Sequence, residues 1–294
     1  MQNPIYYKLK RITTTTFVHI MLIIISVSCI MPLLWMFSSS LKTQDTVFSD
    51  MSLLPQNPHW ENFYIAWTKG GFGRYFFNSL LYTVVVVLGI VFITSLAAYG
   101  ISRLKIPGKN AIFYIFLAAM MIPIPGAFVA LYALLNKLGF LNPNTGVAFF
   151  DDSIRRLGYM LPLINTGLSL GIYILKIFFD NMPSDLEDSA RIDGCSKFGV
   201  YWHIALPLAK PAIAVIVIIN VLYVWNEYLF AMLILTDKSL MPLMRGLMVF
   251  QGTHVTQYSV LMAGTTIAVI PIIILYLFLQ KYIIAGITAG MARG

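Results

Sequence analysis

The sequence predicts an all-α, polytopic membrane protein with six transmembrane helices, and three observations carry that prediction. Of the 294 residues, 59% are hydrophobic and only 11% are charged, and the mean hydropathy is +0.79, outside the range of soluble globular chains. Long stretches lack Asp, Glu, Lys and Arg altogether: 12–41, 75–102, 110–136, 157–175 and 246–280, with 211–236 broken only by Glu227. About 20 apolar residues cross a bilayer as a helix. A membrane β-barrel would instead show segments of roughly ten residues that alternate in polarity, and this sequence has none.

The expected spans are about 14–40, 75–101, 110–135, 158–178, 211–236 and 259–283, with a polar loop at about 180–210, all in one transmembrane domain, 1–294. The opening "YYKLKRITTTTFVHIMLIIISVSCIMPLLW" is basic and then apolar, like a secretory signal. Its apolar run is too long for a signal core and lacks an A-x-A-like cleavage site, so it reads as a retained first span. Between spans two and three, "RLKIPGK" carries Arg103, Lys105 and Lys109 without an acid, and Lys8, Lys10 and Arg11 add to the same side. That side is cytoplasmic by the positive-inside rule, and an even number of spans places both termini there. The outer segments are then 42–74, about 137–158 and 237–257; "NPNTGVAFFDDSIRRLGYML", 142–161, is unusually charged for such a connection.

Span three contains "MMIPIPGAF", where Pro123, Pro125 and Gly126 break the helix. Either a kink bordering a pathway or a packing bend accounts for such a break. Span five holds Glu227 beside Trp225 and Asn226. An acid at that depth faces protein or water, which leaves two readings: a wall or outer gate of a passage, or a structural hydrogen bond to a neighbouring span.

The net charge of +8 does not imply nucleic acid, because the basic residues sit at the ends of apolar runs rather than in one patch. Cys29 and Cys195 fall in an apolar run and in the polar loop, so no disulfide framework is expected. The sequence has no G-x-x-x-x-G-K-[ST] phosphate loop, no H-E-x-x-H and no Cys/His cluster with metal spacing. "GLSLG", 167–171, matches the G-x-S-x-G nucleophile pattern, but Ser169 sits mid-span without a His in span four. No catalytic residue and no metal site is predicted, and the chain is not expected to be an enzyme.

The polar loop, "MPSDLEDSARIDGCSKFGVYWHIALPLAKP", carries its own helix signals. Ser184 followed by Glu187 predicts a capping box, Gly194 a left-handed stop, and a helix of about nine residues lies between them. Ser196 predicts the start of a second helix, which Pro207 and Pro211 interrupt before span five. Tethered to spans at both ends, this pair cannot readily enter a DNA groove. It is either a solvated connection or a rigid knob that presents itself to a partner.

These residues carry a resemblance. "LEDSARIDGC" followed by "HIALPLAKPAI" resembles the EAA loop of binding-protein-dependent ABC importer permeases, with their type I permease fold. "VWNEYLF" and the ending "YIIAGITAGMARG" are similar to the carbohydrate-uptake branch, the maltose-type second permease subunit. The resemblance implies that Asp188, Ser189 and Ala190 hold the E-A-A places, with Glu187, Asp193 and Gly194 completing a coupling helix that docks on an ATPase. Asp for Glu at 188, Ser for Ala at 189 and Cys at 195 depart from the pattern.

The resemblance further implies ATP-driven import of a sugar or oligosaccharide across the cytoplasmic membrane of a prokaryote. Its implied partners are a second homologous permease, two ATPase subunits that bind the ATP and Mg, and an extracytoplasmic sugar-binding protein. This chain itself would bind no cofactor. Two other classes remain open: an ion-coupled secondary transporter, which would show repeated halves and coupling-ion ligands within the membrane, and a membrane scaffold with no passage.

Overall fold

The computed structural model describes residues 4–122, 124–248 and 256–291, with side chains described for 13–122, 126–248 and 256–282. Pro123, the side chain of Pro125 and the side chains of the tail 288–294 therefore lie outside the described residues. The described secondary structure is helical, without a strand. The chain divides into two compact units, 1–71 with 247–267, and 72–246 with 268–294.

The first unit contains α1 (Pro4–Ser40) and the short α2 (Glu61–Thr68). Residues 13–34 of α1 are exposed throughout despite their apolar side chains, as suits a helix whose solvent is lipid. At its end the chain turns inward and Ser38 to Lys42 are buried. Asn62 Nδ2 donates to the carbonyls of Ser40 (2.8 Å) and Lys42 (2.9 Å). Lys42 Nζ donates to the Asp50 carbonyl at 2.6 Å and lies 4.7 Å from the centre of the Trp35 ring.

The second unit is built on α3 (Phe72–Arg103) and α6 (Ala148–Asp180). Their close approach has a sequence cause: "GLSLG" places Gly167 and Gly171 one turn apart on one face of α6. A Cβ on Gly167 would lie 2.5 Å from both Ile90 Cδ1 and Asn220 Oδ1, and one on Gly171 would lie 2.6 Å from Thr94 Cγ2. The nucleophile-like motif is a packing seam. Beside this pair run α4 (Lys109–Ala119), α5 (Ile124–Lys137) and α10 (Lys210–Trp225), around a core that includes Ile90, Tyr159, Leu163, Tyr201 and Phe230.

Among the described residues, four helical stretches are individually long and apolar enough to cross a bilayer: Thr13–Ser40, Phe72–Arg103, Ala148–Asp180 and Tyr258–Tyr282, the last within α13 (Tyr258–Met291). The other two expected spans are broken. The third is divided into α4 and α5, of 11 and 14 residues; at 1.5 Å per residue neither crosses about 30 Å alone. The fifth stops at Trp225 and resumes as α11 (Leu229–Ile234), followed by α12 (Leu243–Leu247). The expected loop 137–158 is shorter than predicted, because α6 already begins at Ala148. There Asp151 Oδ1 accepts from the backbone N–H (2.9 Å) and hydroxyl (2.7 Å) of Thr145, which lets charged residues form a first helical turn.

Candidate functional site

The polar loop folds as its caps dictate, with one exception. α7 (Ser184–Ile192) has nine residues and starts after Pro183. Gly194 follows with φ +81°, and Cys195 N–H returns to the Ala190 carbonyl at 2.9 Å, the left-handed ending that glycine favours. Ser196 Oγ accepts from Gly199 N–H at 3.1 Å and opens α8 (Lys197–Val200). A π-helical turn (Tyr201–Ala205) and α9 (Leu206–Leu208) lead into α10 through a 71° bend, with Pro207 and Pro211 on either side of Ala209.

The exception is the capping box. No side chain caps α7, because Glu187 points into the protein, 4% exposed. Its Oε1 lies 3.4 Å from Arg103 Nε and its Oε2 lies 3.3 Å from Arg191 Nη2. A buried carboxylate gains more from two guanidinium partners than from one backbone N–H. The expected coupling residues thus divide between two faces. Asp188, Ser189, Asp193 and Gly194 are exposed, as are Leu186 and Ile192, the latter by 86%. Glu187 and Ala190 are buried against the rest of the chain. A large residue at 190 would therefore first disturb internal packing rather than block an outer surface.

Trp225, Asn226 and Glu227 sit at the break between α10 and α11. Glu227 is 8% exposed. Its Oε1 accepts from Phe230 N–H at 2.6 Å, and its Oε2 accepts from Ala231 N–H at 3.0 Å and from the Tyr159 hydroxyl at 2.9 Å. The carboxylate thus satisfies the first turn of α11 and ties it to α6. Trp225 is buried and its Nε1 donates to the Ala268 carbonyl at 3.0 Å. Only Asn226 is exposed, and its amide bonds the Leu222 carbonyl of its own helix. Of the two readings of Glu227, these contacts are those of the structural hydrogen bond.

A half-open cleft of about 800 Å³ lies instead between α4, α5, α6 and α10. Most of its wall is apolar, including Phe116, Leu131 and Leu134, with a strip of hydrogen-bonding groups from Asn165, Thr166 and Ser169 on α6 and Asn220 and Tyr223 on α10. Sequence reasoning considered Ser169 only as a nucleophile and did not single out the others. Their signal was the three- and four-residue spacing within spans four and five, which places them on common helix faces.

Residues 89–289 match the model of the family described as "Binding-protein-dependent transport system inner membrane component". The chain belongs to this family. It is a membrane permease of the ABC importer type rather than an enzyme. The matched region includes the C-terminal part of α3, from residue 89, together with the polar loop and the cleft. Similar proteins include the "Probable ABC transporter permease protein YurM" of Bacillus subtilis, 34% identical over 96% of this chain and 89% of that protein. The "Diacetylchitobiose uptake system permease protein NgcG" of Streptomyces coelicolor is 30% identical over 94% of this chain and 88% of that protein. Among solved structures, a chain of a bacterial ABC transporter involved in the import of the acidic polysaccharide alginate has the same fold. Its TM-score is 0.76 at 23% identity, and the match covers 96% of this permease and all of that chain.

Proposed function

We propose that this permease forms one half of the membrane passage of an ATP-driven importer for a sugar or oligosaccharide. In this reading it pairs with a second homologous permease, binds two ATPase subunits that hold the ATP and Mg, and receives substrate from an extracytoplasmic sugar-binding protein. It lies in the cytoplasmic membrane of a prokaryote with both termini and α7 in the cytoplasm. The relatives named for uptake of diacetylchitobiose, arabinooligosaccharides and trehalose or maltose support the substrate class.

The observation that carries the coupling role is α7 itself. A nine-residue helix closed by Gly194 presents Asp188, Ser189 and Ile192 outward, while Glu187 and Ala190 hold it from behind. Small and singly charged groups on a fixed helix suit insertion into a cleft on a partner. The passage is assigned to the cleft rather than to Trp225, Asn226 and Glu227. Amide and hydroxyl side chains there match sugar hydroxyls, and the Tyr223 and Phe116 rings match the apolar faces of sugar rings.

The test is affinity purification through a tag on this chain from its native host, followed by uptake of radiolabelled di- and trisaccharides by the reconstituted complex. Co-purification of an ATPase and a second permease is expected, and Ile192→Asp should release the ATPase. ATPase retention by Ile192→Asp at the wild-type level would overturn the assignment of α7, and ATP hydrolysis by the isolated chain would overturn the reading of an importer with a separate ATPase.

A further inference from the structure

Resting on the reading of α7 as the helix that meets the ATPase, the structure raises the question of how its movement enters the bundle. Covalently, α7 is joined to α6 by the three residues Asn181, Met182 and Pro183, and on its other side to α10 through a chain that bends by 71° at Ala209; neither link reaches α3.

The lateral route is well built. Arg103 is the last residue of α3. Its Nη2 donates to the carbonyls of Phe179 and Met182, in the last turn of α6 and just before α7, and its Nε faces Glu187 Oε1 at 3.4 Å. One planar guanidinium thus touches the ends of α3 and α6 and the back of α7, which a fork of five donors permits and a lysine ammonium does not. Arg103 Nε and Glu187 Oε1 make no hydrogen bond, to each other or to another group, so their contact is an ion pair. The other partner of Glu187, Arg191, is 48% exposed. Arg103, with a side chain only 15% exposed, is therefore the better-shielded counter-charge of a carboxylate that is itself almost wholly buried.

Around this pair further bonds join the same ends. Ser102 Oγ donates to Asp180 Oδ1 at 2.5 Å, and Lys109 Nζ donates to the Ser102 carbonyl at 3.1 Å. The far end of the loop is also fastened to α3: the Tyr201 hydroxyl lies 2.8 Å from Ser95 Oγ, and its ring lies 5.3 Å from that of Tyr99.

We infer that the Arg103–Glu187 pair is the joint through which displacement of α7 reaches α3 and α6, so that both are positioning residues of the coupling step. The joint needs a carboxylate on one side and the several donors of a guanidinium on the other. The glycine seam at Gly167 and Gly171 then carries α6 with α3, and α6 bears the Asn165, Thr166 and Ser169 wall of the cleft.

The experiment uses the whole importer, purified through this chain and held in lipid nanodiscs. Cys29 and Cys195 are replaced by Ser, and Ser169→Cys provides a reporter in the cleft. The rate of labelling by a membrane-impermeant maleimide is compared without nucleotide and after trapping with ATP and vanadate, per complex that has retained its ATPase. Wild type should show a clear ratio between the two rates, and Glu187→Gln and Arg103→Lys should each reduce that ratio by about three- to tenfold. A wild-type ratio in both variants would overturn the joint.

Failure of both variants to assemble would also overturn it, since the pair would then be a folding staple. Arg103→Lys is the milder change and keeps the charge, so it reads the response if Glu187→Gln does not assemble. Ile192→Asp separates the two proposals. If it leaves ATPase retention intact, the docking reading falls and the joint falls with it. If it releases the ATPase while both joint variants respond as wild type, the joint alone falls.

Discussion

Replacing Glu227 by Ala should destabilise the permease by about 3 kcal/mol without specifically abolishing substrate passage. The magnitude follows from three donors that lose their acceptor: Phe230 N–H at 2.6 Å, Ala231 N–H at 3.0 Å and the Tyr159 hydroxyl at 2.9 Å. Within a membrane protein each such bond is worth roughly 1 kcal/mol, and an unmade bond at a buried site costs at least that. Glu227→Gln retains one carbonyl oxygen, and the Tyr159 hydroxyl can turn to accept from the new amide, so its cost should be only about 1 kcal/mol. Tyr159→Phe should likewise cost about 1 kcal/mol in the wild type and close to nothing in the Glu227→Ala background, because the bond is then already absent. Unfolding in mixed micelles with increasing SDS, followed through tryptophan fluorescence, measures the four variants against wild type. A Glu227→Ala variant of wild-type stability that has lost uptake would refute the reasoning and return Glu227 to the passage.

Other outcomes follow from single contacts. Gly194→Val meets no atom within 4 Å but requires φ +81°, which costs on the order of 1 to 2 kcal/mol; ATPase co-purification should fall while membrane insertion, read by fractionation, stays normal. Gly167→Ala places a methyl 2.5 Å from Ile90 Cδ1 and Asn220 Oδ1. Separating α3 from α6 by that overlap should cost about 1 to 3 kcal/mol, visible as a lowered midpoint in the same SDS titration. The backbone N–H of Ser239, with its side chain, holds the Asp237 carboxyl below its ordinary 3.8. A depressed carboxylate stabilises the folded state above its unfolded value and loses that contribution as pH falls through the folded one. Wild type and Asp237→Asn should therefore differ in Tm at pH 6, begin to converge as the pH falls below about 4, and meet only below the depressed folded value; parallel curves across that range would contradict the assignment.

Periodicity and length alone determined that this chain is an all-α membrane protein, because a bilayer leaves few ways to satisfy the backbone and the apolar runs are long enough to read directly. Local signals were equally legible where they act over a few residues: the Gly194 stop and the Ser196 cap fold as expected. The third span reads as broken and the fifth as continuous, so the two breaks differ in visibility. "MMIPIPGAF" announces the first, whereas nothing in "VWNEYLF" separates a helix break from a run of span. That break exists because the Glu227 side chain reaches forward to the N–H groups of Phe230 and Ala231 and across to Tyr159, 68 positions away.

The polar loop shows the same division. Its helix was written in the sequence, but which face it would bury was not. Glu187 matched a capping box by spacing, yet its carboxylate turned to Arg103, 84 positions earlier, because a buried charge requires an opposite charge more than a free N–H requires an acceptor. The cleft lay beyond the sequence for a related reason. Asn165, Thr166, Ser169, Asn220 and Tyr223 are unremarkable polar residues in two apolar runs until the glycine seam sets α6 against α3 and α10 and turns them toward one space. Local chemistry selects the elements, and tertiary packing decides which of their faces meet.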